Sequence, residues 1–161
     1  MKKLNITKQS LQEAKELFEF KELNNSITKG QGNKAGALGE VLVRQHFADA
    51  IHQNTFDYDL IINNKKIDVK TKRFTSKFTP NKNWTLNIPN YNTKQKCDYY
   101  CFVGMSDDYK IAYLYGFIKK SDFYNIAKFN KKGQLDPKGN GKWKFRADCY
   151  NISISELKEY I

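Results

Sequence analysis

The sequence predicts a mixed α/β domain, a β-sheet flanked by helices. Three observations predict it: two helical patterns in the first third, strand-like runs split by short turns in the middle, and a helix–strand–helix close. At 161 residues the chain has the length of one domain, read as residues 1–161, with a helix at 8–24 as an appendage and a core over 35–161. Hydrophobic residues make up 40%, rich in Tyr and Phe, which supplies a core and excludes a wholly disordered chain.

Taken in order, Ser10-Leu11-Gln12-Glu13 reads as a capping box opening a helix over 10–23, with Leu11, Ala14, Leu17 and Phe18 on one apolar face. Residues 24–34 are polar, carry Gly30 and Gly32, and read as loop. A second helix covers 35–50, with Leu38, Val41, Leu42 and Ala48 among its apolar positions. Residues 56–62 and 66–71 are strands joined through Asn63-Asn64-Lys65; asparagine tolerates positive φ, so this is a tight hairpin. Residues 84–88, 98–104 and 111–118 are further strands, the last two split by the turn Ser106-Asp107-Asp108. Ser121 is expected to cap a short helix to about 129, residues 130–142 form a Gly- and Lys-rich loop, and 144–151 form the last strand. Ser153-Ile154-Ser155-Glu156 then opens a terminal helix as a second capping box.

A net charge of +11 and a pI near 9.5 point to a polyanionic partner, nucleic acid before others. The three cysteines form no Cys-x-x-Cys pair and there are two histidines, which argues against a zinc site and suits a reducing compartment. No apolar run reaches the roughly 18 residues of a membrane span, and the N-terminus lacks a signal core, so a soluble, cytoplasmic protein is expected.

The chemistry concentrates in one hairpin. In a strand, residues i and i+2 share a face, so Asp68 and Lys70 project together while Ile67, Val69 and Thr71 take the other side. The hairpin brings Asp59 alongside, and two carboxylates with one ammonium then converge. Carboxylate oxygens are the ligands Mg²⁺ prefers, with room left for water and a substrate phosphate. A neighbouring lysine can orient or help deprotonate an attacking water and offset developing negative charge. Acid-x-Lys alone also describes any solvated strand carrying an Asp–Lys pair. The context adds weight: Glu40 lies in the small, apolar helical stretch 36–43, where a lone carboxylate calls for a partner, and Gly36 and Gly39 let that helix approach a neighbour closely.

Gly39-Glu40 on a helix, then Asp59, then Asp68-Val69-Lys70 resembles the PD-(D/E)xK nuclease superfamily in order and approximate spacing. The strand runs around Cys97-Asp98-Tyr99-Tyr100-Cys101-Phe102-Val103 and Tyr115-Gly116-Phe117-Ile118 also resemble small phage-type or restriction-like members, and the likeness covers about 35–150. The resemblance implies a restriction-endonuclease-like mixed sheet and a Mg²⁺-dependent endonuclease, with Mn²⁺ able to substitute. Asp59, Asp68 and the Val69 carbonyl would hold the ion, Glu40 would hold a second ion or reach the first through water, and Lys70 would position the hydrolytic water. The family's products are a 5′-phosphate and a 3′-hydroxyl. Tyr58 stands where the family's proline would be, which leaves Asp57 as a rival to Asp59 for the first acid.

Basic clusters at 29–34, 70–77, 94–96 and 128–146 give candidate backbone contacts: Lys34, Lys72, Arg73, Lys131, Lys132, Lys142, Lys144 and Arg146. Such contacts imply salt-sensitive affinity with little sequence reading. Trp84, Tyr91 and Trp143 are either stacking platforms for bases or packing anchors; His46 and His52 are read as structural. The expected partner is nucleic acid, DNA favoured over RNA, with a homodimer the oligomeric state to test. The second reading is a catalytically silent nuclease-fold protein that grips nucleic acid or interferes with another nuclease.

Overall fold

The computed structural model describes residues 1–20, 31–53, 55–136 and 143–161, with the side chains of 18–20 and 31–33 left aside. It is a mixed α/β fold. The elements in order are β1 (Lys2–Leu4), α1 (Lys8–Phe20), α2 (Gln31–His46), β2 (Ile51–His52), β3 (Leu60–Ile62), β4 (Lys65–Phe74) and β5 (Thr85–Pro89). They continue with β6 (Tyr99–Ser106), β7 (Ala112–Lys119), α3 (Lys120–Ile126), β8 (Lys128–Asn130) and β9 (Cys149–Ser153). Single 3₁₀ turns occupy Asn90–Lys94 and Ile154–Glu156.

Six strands form one sheet in the order β1-β7-β6-β4-β3-β2, and β5-β9-β8 form a smaller one. Within the larger sheet β4 and β6 run parallel, and the other neighbours are antiparallel. Apolar side chains cover both faces. On one, Leu38, Val41 and Leu42 of α2 pack with Leu60, Ile67, Val69, Cys101 and Val103. On the other, Tyr100 and Phe102 of β6 and Phe123 of α3 pack with Leu86, Ile88 and Ile152 of the small sheet. Burial on both faces explains why β6 reads as a continuous apolar run. Among the described residues no helix is long and apolar enough to cross a membrane.

The hairpin forms because Asn63 and Asn64 adopt φ of 49° and 58°, the two left-handed positions of a type I′ turn. Lys65, expected in the turn, already pairs with Ile62 as the first residue of β4. The first predicted strand is shorter than expected. The Thr55 hydroxyl donates to the Tyr58 carbonyl at 2.7 Å and accepts the Tyr58 N–H at 3.0 Å, which coils 55–58 into a turn and delays β3 to Leu60.

Several boundaries move for local reasons. α1 is capped by Thr7, not Ser10: the Ser10 N–H donates to Thr7 Oγ1 at 3.0 Å and the Thr7 N–H to Ser10 Oγ at 2.9 Å, a reciprocal box one turn early. The buried face therefore runs through Ser10, Ala14 and Leu17, and Leu11 is exposed. The N-terminal segment read as an appendage is part of the core. β1 pairs with β7, Leu4 and Ala14 are buried, and Glu13 accepts from Arg44 of α2 at 2.5 Å. α2 begins at Gln31, inside the expected loop, and ends at His46, leaving Ala48 exposed beyond it. The rest of the expected loop, 24–30, and the predicted end of the first helix, 21–23, lie outside the described residues.

Ser121 does not cap α3; the N-cap is Lys119, and 128–130 is strand β8, not helix. The last strand begins at Cys149, with only an isolated Leu135–Lys144 bridge before it. The terminal helix is one 3₁₀ turn, because Lys158 exchanges backbone hydrogen bonds with Phe117 at 2.7 and 2.8 Å and draws the tail onto β7.

Candidate active site

The site lies at the N-terminal end of β3. Asp59 makes the last backbone link to β4: its N–H donates to the Ile67 carbonyl at 2.9 Å, and its own carbonyl accepts the Gln53 N–H at 2.7 Å. One step further along β4, the Asp59 carboxylate takes over from the missing strand, Oδ2 accepting the Val69 N–H at 2.8 Å. The N–H and C=O of one residue in an extended strand face the same edge, so the Val69 carbonyl faces this gap too.

Asp68 and Lys70 leave β4 on the face of the small sheet. Lys70 Nζ lies 2.9 Å from Asp68 Oδ1 and 2.7 Å from Oδ2, and donates to Gln95 Oε1 at 3.2 Å. Gln95 is itself anchored, its Nε2 donating to the Phe56 carbonyl at 3.0 Å and its backbone carbonyl accepting from the Lys120 ammonium. Asp68 is 2% exposed. Burial pushes its carboxyl above the ordinary carboxylate range; the Lys70 charge and hydrogen bonds with Lys70 and Asp59 pull it back, and the Glu40 charge raises it further. These interactions place Asp59 beside Asp68 and Glu40 within electrostatic reach.

Glu40 arrives from the opposite face on α2. A Cβ on Gly39 would sit 2.1 Å from Thr71 Oγ1, so glycine is what lets the helix cross β4 this closely and bring the next residue to the gap. Gly36, expected to serve the same purpose, has nothing within 4 Å of its would-be Cβ. Glu40 is 8% exposed and its Oε2 lies 3.4 Å from His52 Nε2 on β2. The rival acid, Asp57, is turned elsewhere, its Oδ1 accepting the Lys96 N–H at 3.0 Å.

Sequence reasoning missed Gln95 and read His52 as structural, without its contact to Glu40. Neither stands at a recognisable spacing from the acids; both reach them only through tertiary contact. His46 stands edge-on to Phe47 at 4.9 Å, and burial together with the Lys2 charge lowers its imidazole's proton affinity.

The residues at the gap fit a divalent ion of the Mg²⁺ type. Asp68 Oδ2 is buried and, although close to Lys70 Nζ, has no hydrogen bond of acceptable geometry. A buried carboxylate compensated by one ammonium has capacity for a second cation. Among the described residues no three His, Cys, Asp or Glu side chains are gathered tightly enough to enclose an ion by themselves. That is compatible with Mg²⁺, which retains several waters and is held by one or two carboxylates plus substrate phosphate.

The expected nucleic-acid contacts separate into groups. Lys34 and Arg73 converge on one ring, 5.1 and 5.7 Å from the centroid of Tyr109 at the β6–β7 turn. Lys72 is committed inward: its ammonium donates to the Thr85 carbonyl, and burial lowers its proton affinity. Lys131, Lys132, Lys144 and Arg146 are exposed, and Lys142 lies outside the described residues. Of the three aromatics, Trp84 packs edge-on to Phe74 at 5.9 Å as an anchor, while Tyr91 and Trp143 are exposed. The three cysteines are buried and unbridged.

No family model matches the chain, and no curated protein is significantly similar to it.

Proposed function

We propose that this chain is a divalent-metal-dependent nuclease of the PD-(D/E)xK type that hydrolyses phosphodiester bonds, DNA before RNA. The observation that carries the reading is the gap at the end of β3, where the Asp59 carboxylate bonds the Val69 N–H beside a buried Asp68 ion-paired to Lys70. Asp59, Asp68 and the Val69 carbonyl would hold Mg²⁺ or Mn²⁺, with Glu40 approaching from α2. When bound, the ion supplies Lewis-acid polarisation and a more acidic water. Lys70, steered by Gln95, presents an ammonium to the attacking water and to the charge that grows on the phosphorus oxygens. A reducing cytoplasm suits the three free thiols.

The test is cleavage of plasmid, linear and single-stranded DNA, and of RNA, with Mg²⁺ or Mn²⁺ against chelator. Asp68→Ala and Lys70→Ala are expected to abolish metal-dependent cleavage while circular dichroism shows the fold retained. Undiminished cleavage by both variants, or cleavage in chelator, rules the site out. A silent nucleic-acid binder is the second reading, favoured by the lack of three closely gathered acids among the described residues. Metal-independent binding without cleavage would establish it.

A further inference from the structure

Phe56 is 80% exposed, more than any other large apolar side chain among the described residues, and stands three residues before Asp59. Its carbonyl accepts from Gln95 Nε2 at 3.0 Å, while Gln95 Oε1 accepts from Lys70 Nζ at 3.2 Å. One amide group therefore separates the two, and bond lengths keep the Phe56 carbonyl within about 9 Å of the Lys70 ammonium. A second ring approaches the same glutamine from another segment. Tyr91 is 58% exposed on the 3₁₀ turn Asn90–Lys94, four residues before Gln95, or roughly 8 Å of rise.

The frame beneath both rings is fixed. The Lys96 N–H donates to Asp57 Oδ1 at 3.0 Å and joins the two segments a second time. The Lys120 ammonium donates to the Thr93 carbonyl at 2.9 Å and to the Gln95 carbonyl, which holds the turn that carries Tyr91. Rings on a fixed frame lose less freedom when a ligand lies on them.

A phenyl ring has neither donor nor acceptor, so it cannot hydrogen-bond a phosphate or a base edge. What it offers is a face. A base inside an intact duplex has both faces covered by its neighbours, and only an unstacked base can use such a ring. The charge around the rings selects the partner: Lys94 and Lys96 are exposed on either side of Gln95, in a chain of net charge +11. An unpaired polyanion sets phosphates against the lysines and bases against the rings, the combination by which single strands are held.

We propose that Phe56 and Tyr91 form a stacking platform for unpaired bases beside the cut, and that the substrate is accordingly single-stranded nucleic acid or an unpaired stretch of it. The platform rests on the nuclease reading above for the position of the cut, and deepens it by naming the substrate class. Stacking accepts any base, so no recognition sequence is expected.

The test is equilibrium binding by the full chain with Ca²⁺ in place of Mg²⁺, comparing an all-thymine single strand with an abasic strand of equal length, which has the same phosphates and no bases. The thymine strand is expected to bind about tenfold tighter in the parent. Phe56→Ala and Tyr91→Ala should each reduce that ratio and the double variant should abolish it, whereas Phe56→Tyr should keep it. Both side chains are exposed, so alanine at either leaves the core untouched, which circular dichroism checks. No advantage over the abasic strand, or an advantage that survives the double variant, overturns the proposal. Cleavage in Mg²⁺ or Mn²⁺ is scored separately on single-stranded and duplex DNA. A base-dependent advantage without cleavage supports the platform and sinks the nuclease reading, whereas cleavage confined to intact duplex sinks only the platform. No binding to any strand sinks both.

Discussion

Asp68 and Lys70 are held as a pair in a place where the acid is costly to keep ionised. The folded-state pKa of Asp68 is raised, chiefly by burial, so its ionisation disfavours the folded chain. That penalty is complete above the raised folded value and absent below the unfolded one near 3.8, so acidification between the two relieves it. In the metal-free protein, Asp68→Asn should match or exceed the parent's thermal stability at neutral pH, and that advantage should shrink as pH falls through this window. Melting curves across pH check it; an advantage that grows with acid would contradict the direction of the shift. Among the described residues, Gln95→Leu removes the one side-chain acceptor Lys70 has besides Asp68. It is expected to lower kcat by about tenfold or more with little change in KM, with partial rescue by Gln95→Asn. Unchanged kcat would mean that Asp68 alone fixes the lysine.

The helix α2 and the strand β4 form one positioning unit, and its contact point is Gly39 against Thr71. Gly39→Ala should cost about 1–3 kcal/mol through overpacking and move Glu40 away from the gap, lowering both stability and metal affinity. Thr71→Ala removes the atom that a Gly39 Cβ would strike at 2.1 Å and leaves the Thr71 Cβ at 3.3 Å, so the double variant should recover most of the loss. Denaturant melts and metal titration measure both; additive losses would show that the helix is not seated there. At this scale much was legible. Asparagine at two successive left-handed positions marks the hairpin, period-two alternation puts Asp68 with Lys70, and a lone Glu among small residues marks α2. What was hidden depends on partners far along the chain. β1 and β2 are two or three residues long and exist only because β7 and β3 lie beside them. Gln95 and His52 reach the acids by tertiary contact alone. The Ser10-x-x-Glu13 pattern drew attention from Thr7, but Glu13 accepts from Arg44 and the box that forms is the one between Thr7 and Ser10.

Across the whole molecule, the charge of +11 is the feature a polyanion meets first. Affinity for nucleic acid should fall linearly on a logarithmic salt scale, and neutralising any one of the exposed Lys131, Lys132, Lys144 or Arg146 should reduce the slope by about 1 if that side chain contacts a phosphate. Neutralising Lys72 should change the slope less, since its ammonium is turned to Thr85. Titrations at several salt concentrations decide this. The layout also bears on synthesis. β4 forms its hairpin with β3 from adjoining sequence, but its other edge is parallel to β6, with Asp68 opposite Tyr100. Parallel pairing of that kind has to wait for distant residues. A nascent chain stalled on the ribosome before β6 emerges would therefore carry Glu40, Asp59, Asp68 and Lys70 yet hold them in no fixed arrangement. On the proposed nuclease reading, cleavage would be withheld until β6 has been made and has paired with β4.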